Sequence, residues 1–230
     1  MKTLCVAVVV LSLTSVCQPA SLACEKLLKP ADTSPEFSGT WYVIAVSSGS
    51  CFVMALLDAM FLISVKVGID SKETPNLYDA HFTVKINGLC TNASVPLFFV
   101  NNTIFDADGN NVPTGKVAVL QYSGCPDCYV VKGDDDTDAM MLTSRRQNLT
   151  AAELKEFETQ SRCRGWTKTI VLNSDHNYAD CPSIDDAGNT DTSGFSDILY
   201  ERLSANYQEP LKCLVPDLIS KPWQWIQSFW

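Results

Sequence analysis

Histidine is nearly missing from this chain of 230 residues, with His81 and His176 the only two. They make no His-x-x-x-His pair, and no Ser-His-Asp or Cys-His grouping can be assembled around them. His81 falls on the polar side of an alternating run, where an imidazole is simply solvated. Basic residues are also short: 17 Lys and Arg face 26 Asp and Glu, a formal charge of −9. No basic stripe exists, which argues against nucleic acid or anionic membranes as partners. Acidity itself implies a soluble chain somewhat friendlier to cationic ligands. Long apolar runs are lacking too. Leu4 to Leu13 and Cys51 to Val65 are both short for a bilayer span, and the second carries Asp58, so no transmembrane anchor is expected. No internal repeat occurs. Asp106 to Asn111 has the look of a calcium loop, but Gly109 sits at the wrong offset and Val117 stands where the closing acid belongs. It reads as a turn. No catalytic residue, metal or cofactor is assigned.

What is present points to export. Residues 1–17 read as a signal peptide, with Lys2 as the charged start and Leu4 to Leu13 as the apolar centre. Cleavage fits after Cys17 or as late as Ala23, and loss of Lys2 takes one positive charge away, leaving −10. Either cut removes Cys5 and Cys17 and leaves eight cysteines, at 24, 51, 90, 125, 128, 163, 181 and 213. An even count in an exported chain predicts up to four disulfides, whose pairing the spacing leaves open. Three sequons, at Asn92, Asn101 and Asn148, make a secreted glycoprotein the expectation, each Asn facing out if glycosylated. An apolar share of 46% supports one sizeable core.

The chain is organised by a period of two. Gly39-Thr40-Trp41 opens a first strand running to Val46, and Ser47 to Ser50 break it. Phe52 to Met60 reads as a short helical turn or a loop. Phe61, Ile63, Val65 and Val67 then alternate with polar or small residues in a half-buried strand. Tyr78, Ala80, Phe82, Val84 and Ile86 repeat the pattern, and Asn87-Gly88 is a hairpin signal leading into Leu89 to Val100. On that strand Leu89, Thr91, Ala93, Val95, Leu97 and Phe99 should face in. A short strand near Thr103 to Phe105 ends at the Asp106–Asn111 turn. Lys116 to Tyr122 and Cys128 to Lys132 form a hairpin, and Ala139 to Ser144 is the eighth strand. Eight short strands at near-regular spacing fit an up-and-down antiparallel barrel or a sandwich. The period then changes. Thr150-Ala151-Ala152-Glu153 is a capping box that opens a helix to about Cys163, with Leu154, Phe157 and Ser161 along one face and Gly165 closing it. Thr167 to Leu172 is a last β-like run. The tail, residues 182–230, is acidic and turn-rich, then partly helical through Phe195, Ile198, Leu199 and Leu203. It ends on Trp223, Trp225, Ile226, Phe229 and Trp230.

Cys125-Pro126-Asp127-Cys128 has redox spacing, but it caps a hairpin instead of a helix N-terminus, so a structural bridge is the reading.

A signal, a Gly-x-Trp strand opening, eight alternating strands, a capped helix and a last strand together resemble the lipocalins. Closer detail resembles the α1-acid glycoprotein (orosomucoid) branch. Gln18 to Cys24 looks like that branch's mature start, Gly39 to Ala45 like its first strand, and Leu154-Lys155-Glu156-Phe157 with Cys163 like the end of its helix. Among its members, the fish tributyltin-binding proteins and the pufferfish saxitoxin- and tetrodotoxin-binding protein are similar. The resemblance covers about residues 18–181, the expected domain. It implies a mainly β fold: an eight-stranded antiparallel barrel with one helix packed outside and an extended tail. It also implies bridges Cys24–Cys163 and Cys90–Cys181; Cys125–Cys128 and Cys51–Cys213 complete the set as guesses. The ligand would sit inside, against Val43, Phe61, Ile63, Val65, Val67, Tyr78, Phe82, Tyr129, Val131, Met141 and Thr143, with Trp41 plugging the closed end.

The chain departs from that pattern in two respects. Val43, Val65 and Val67 are aliphatic where orosomucoid is aromatic. Cys125-Pro126-Asp127 replaces the family's Thr-Asp-Tyr. Either Arg145 or Arg146 fills the role of the arginine that stacks on Trp41. The expected activity is physical: an extracellular, plasma-type carrier takes a small hydrophobic or amphipathic ligand, such as an organotin or a guanidinium toxin, into an apolar cavity. Tyr78, Tyr129 and Thr143 orient it. Two alternatives stand beside this. One is a barrel enzyme with a reactive Cys51, and the other is a partner-binding protein acting through the Trp-rich tail.

Overall fold

The computed structural model describes residues 22, 24–31, 36–59, 63–86, 88–134, 138–172, 175–179 and 181–183. The segment read as a signal peptide, Phe61, Cys213 and the tail stretches expected to be helical and aromatic lie outside these residues.

Eight strands run in sequence order around a barrel: β1 (Gly39–Ser48), β2 (Ile63–Ser71), β3 (Leu77–Ile86), β4 (Leu89–Val100), β5 (Thr103–Ala107), β6 (Pro113–Gln121), β7 (Cys128–Gly133) and β8 (Ala139–Ser144). Each pairs antiparallel with the next, and β1 pairs with both β8 and β2, which closes the cylinder. Closure follows from the period-two pattern, because one apolar face per strand has to be turned away from water. Register shows it: Val65 stands opposite Val84, Val67 opposite Phe82, and Tyr78 opposite Leu97, all on the inner face. Leu97 and Phe99 join the inner cluster with Trp41, Val67, Ala80 and Leu120.

Two turns account for tight hairpins. Asn101 and Asn102 both adopt positive φ (51° and 60°), the mirror-image turn that suits strand twist. Between β5 and β6 the expected Asp106–Asn111 turn is shorter than its sequence implies. Asp108 Oδ1 accepts from the amides of Asn110 (2.9 Å) and Val112 (2.8 Å), which folds the loop into residues 108–112. Pairing therefore persists to Ala107 opposite Pro113, so β5 ends later and β6 begins earlier than the residue pattern indicated.

Residues Cys51–Ala59 form helix α1. Ser50 Oγ accepts from the Val53 amide (3.3 Å), and the segment that follows has no helix breaker. Its Leu57 packs against the cluster of Val43, Val46 and Leu172, which Val65 also joins, so the helix lies at the end of the barrel where β1 finishes and β2 starts.

Helix α2 (Ala151–Cys163) begins at the capping box, with both Thr150 and Glu153 contacts present, and turns off at Gly165 with φ 81°. Phe157, Gln160 and Ser161 are its buried residues, whereas Leu154 is only partly covered. Phe157 packs with Val130, Met140 and Leu142 on the barrel's outer face; complete burial of such a ring contributes about 1.5–3 kcal/mol. A bulge between Val43 and Ala45 re-aims β1, so Ala45 meets this helix while Val46 packs with Val43. Beyond α2, strand β9 (Thr169–Val171) extends the sheet along β1 at Ala45–Ser47.

Disulfides join Cys24 to Cys163, Cys90 to Cys181 and Cys125 to Cys128. The last strap of the described chain, residues 175–179 and 181–183, crosses the outer face of the barrel. Lys85 Nζ pairs with Asp175 (2.6 Å), the Ser64 and Tyr178 hydroxyls share a hydrogen bond, and Cys181 pins the strap at β4.

Candidate functional site

One end of the barrel is sealed by aromatic rings. At the sealed end, Phe37 stacks on Phe99 with ring centroids 4.2 Å apart and meets Tyr78 edge-on at 5.2 Å. Trp41 donates its Nε1–H to the Phe37 carbonyl (3.0 Å) and meets Tyr129 at 5.3 Å. The Arg145 guanidinium covers the Trp41 ring at 4.3 Å and donates from Nη2 to the carbonyls of Glu36 (2.8 Å) and Ser38 (2.7 Å). Arg145, and not Arg146, is therefore the stacking arginine. Gly39 makes room for it: a Cβ there would lie 2.5 Å from Arg145 Nη1, and the residue adopts φ 107°. Arg146 instead pairs with Glu153 (2.6 Å), holding that carboxyl down at about 2 with help from Thr150.

Above this floor the wall is apolar. Val65, Val67, Tyr78, Phe82, Tyr129 and Val131 pack in or against the inner cluster. Val43 continues it through Val65 toward Leu57 of α1. Ile63 is buried and shares the inner face by its pairing with Ile86. Thr143 lies opposite Tyr129 and donates its hydroxyl to the Tyr129 carbonyl (3.1 Å). Burial pushes the Tyr129 phenol's pKa up, so it stays protonated and able to donate. The polar side chains of β2, β3 and the turn between them stand on the outer face, where Lys72 pairs with Asp79 and the His81 ring lies 3.4 Å from Asp70. The inner face also meets solvent: Val95, opposite the fully buried Ala80, is 43% exposed, and Met141, opposite Val131, is 37% exposed. Phe61 lies outside the described residues.

The structure adds inner-wall residues outside the expected ligand set, notably Ala80, Leu97, Phe99, Ile104 and Leu120. For Leu97 and Phe99 the signal was the β4 alternation itself; for Ile104 and Leu120 the short β5 and shifted β6 left none. The cysteines lose their chemical candidates. Cys51 is disulfide-bonded, so the thiol nucleophile of the enzyme alternative is not free. Cys125 and Cys128 are bridged and almost wholly buried under α2. Asn92, Asn101 and Asn148 are exposed.

Among the described residues no helix is long and apolar enough to cross a membrane. A separate groove of about 210 Å³ lies outside the barrel, between α1 and the segment Gly165–Lys168.

Residues 3–183 match the sequence pattern of the ApoM domain. No curated protein sequence matches. Among solved structures, the siderocalin Ex-FABP, described as functioning through dual ligand specificities, is similar with a TM-score of 0.47 at 16% identity, over 61% of this chain and 95% of that one.

Proposed function

Because this chain belongs to the ApoM domain family, a lipocalin-type fold, we propose that it is a secreted carrier that holds a small hydrophobic or amphipathic ligand inside its barrel. One observation carries the reading. A continuous apolar inner wall is sealed at Trp41 and Phe37 yet reaches solvent at Val95 and Met141. Such a cavity removes apolar ligand surface from water at about 25 cal/mol per Å². Export is supported by the leader-like first 17 residues, the disulfides and three exposed sequons. The finer reading, an amphipathic cation such as an organotin or guanidinium compound, draws on the orosomucoid-like residues and the acidic charge. Arg145 already occupies one face of Trp41, so a cationic ligand would have to use Tyr78, Phe82 or Tyr129.

The test is saturable binding of fluorescent amphiphiles, read by quenching of tryptophan emission and by displacement with steroids, organotins and guanidinium compounds. Val95→Trp fills the inner wall; displacing about two buried CH₂ groups of ligand costs roughly 1.6 kcal/mol, more than a tenfold loss of affinity. Val117→Trp adds the same ring on the outer face of β6 and should leave affinity within about twofold. Absence of saturable binding across the panel, or equal losses in both variants, refutes the reading.

A further inference from the structure

The groove outside the barrel goes beyond the ligand reading and does not depend on it. Its walls are Cys51, Met54 and Ala55 of α1 on one side and Gly165, Trp166 and Lys168 on the other. Its volume of about 210 Å³ corresponds to roughly seven waters of liquid, room for one or two branched aliphatic side chains. Lys168 Nζ pairs with Asp58 Oδ2 across one end (2.8 Å), fixing the two walls together. Cys51, on the α1 wall, is disulfide-bonded, while six other cysteines pair among themselves. Of the ten in the chain, that leaves Cys5, Cys17 and Cys213 as partners. The first two fall within the leader read from the sequence.

We propose that Cys51 is bonded to Cys213 and that Leu214 and Val215, beside Cys213, dock in this groove and clamp α1 against the barrel. The sequence around Cys213 suits the site. Pro210 and Pro216 bracket Leu211-Lys212-Cys213-Leu214-Val215, a sequence with apolar residues within two positions of Cys213 on either side. The route is also short. The described chain ends at Ser183, bridged to Cys90 at the start of β4, which is the same end of the barrel as α1. The 30 residues from Ser183 to Cys213 span at most about 100 Å, so reach imposes no limit. Because Leu57 of α1 packs on the cluster of Val43, Val46 and Leu172 where β1 ends, a clamp on α1 sets how readily that helix moves away from the barrel.

Tryptic mapping of the unreduced full-length protein should give residues 27–66 linked to residues 213–230, since Lys29 and Lys221 each precede proline. Hydrogen exchange then tests the docking separately from the bond. In Leu214→Asp/Val215→Asp the α1 amides should exchange at least tenfold faster, with β2–β4 amides unchanged. Leu214→Ala, a gentler change, should give about a threefold acceleration. A link from residues 27–66 to a second copy of the same peptide or to Cys17 overturns the proposal. So does unchanged α1 exchange in both variants despite an intact Cys51–Cys213 bond.

Discussion

Replacing Arg145 by alanine tests how the sealed end of the barrel is held. The side chain makes two charge-assisted hydrogen bonds, one to the part-buried Ser38 carbonyl and one to the exposed Glu36 carbonyl, and covers Trp41 at 4.3 Å. The Ser38 bond is worth about 1.5 kcal/mol and the Glu36 bond, open to water, about 0.5 kcal/mol. The cation–π contact adds about 0.5–1 kcal/mol. A loss of roughly 2–3 kcal/mol is expected for Arg145→Ala, and Arg145→Lys should recover less than half because an ammonium lacks the planar fork. With a urea slope near 2 kcal/mol/M, the alanine variant's midpoint should fall by about 1–1.5 M at unchanged slope. Gly39→Ala forces the guanidinium aside, since its Cβ would lie 2.5 Å from Nη1, and adds backbone strain at φ 107°. The double variant should then be less destabilised than the two singles combined, by about 1 kcal/mol. A midpoint shift below about 0.25 M for Arg145→Ala, or strict additivity with Gly39→Ala, refutes this account of the floor.

Other expectations follow from the outer face. Burial lowers the pKa of His176, whose ring sits between Tyr42 and Tyr178, although Asp175 and the Gln147 carbonyl oppose that shift. Its neutral form is favoured in the fold, so its contribution is complete above the unfolded value of about 6.5 and is lost as pH falls below it. Amides of residues 175–179 should exchange faster at pH 5.5 than at 7.5 after intrinsic correction, and His176→Gln should flatten that dependence. Thr150→Ala should cost about 1 kcal/mol in chemical denaturation by removing the α2 cap. The Glu153 carboxyl, held at about 2 chiefly by Arg146, contributes in full above the unfolded value of 4.5, and that contribution declines as pH falls from there through about 2. The Thr150 amide, which donates to that carboxylate (2.7 Å), should therefore stay protected at pH 3. Replacing Cys90 and Cys181 by serine should cost about 2–5 kcal/mol and speed exchange in residues 175–179 first.

Much of this architecture was legible in the residues because it depends on local rules. The alternation in β3, the full length of β4 from Leu89 to Val100, and the capping box at Thr150 each need only near neighbours in sequence, and the structure has all three. The inner face of β2 and β3 could be written down from phase, since a period of two leaves one choice once the apolar side turns inward. Boundaries of β5 and β6 were not legible, because the Asp108 carboxylate tightens that turn and lets pairing run further. The helical state of Cys51–Ala59 was ambiguous for a similar reason: a short apolar run fits helix or strand until something packs on it. Only tertiary structure decided that Arg145 covers Trp41 while Arg146 goes to Glu153, as one residue of register at the end of β8 separates the two. It also decided that Ala45 faces the helix, through a bulge that no composition announces. Solvent access along the inner wall belongs to the same class. Val95 and Ala80 stand opposite each other with the same inward phase, yet one is 43% exposed and the other fully buried. Phase says which way a side chain points; what waits for it there depends on strands far away in the chain.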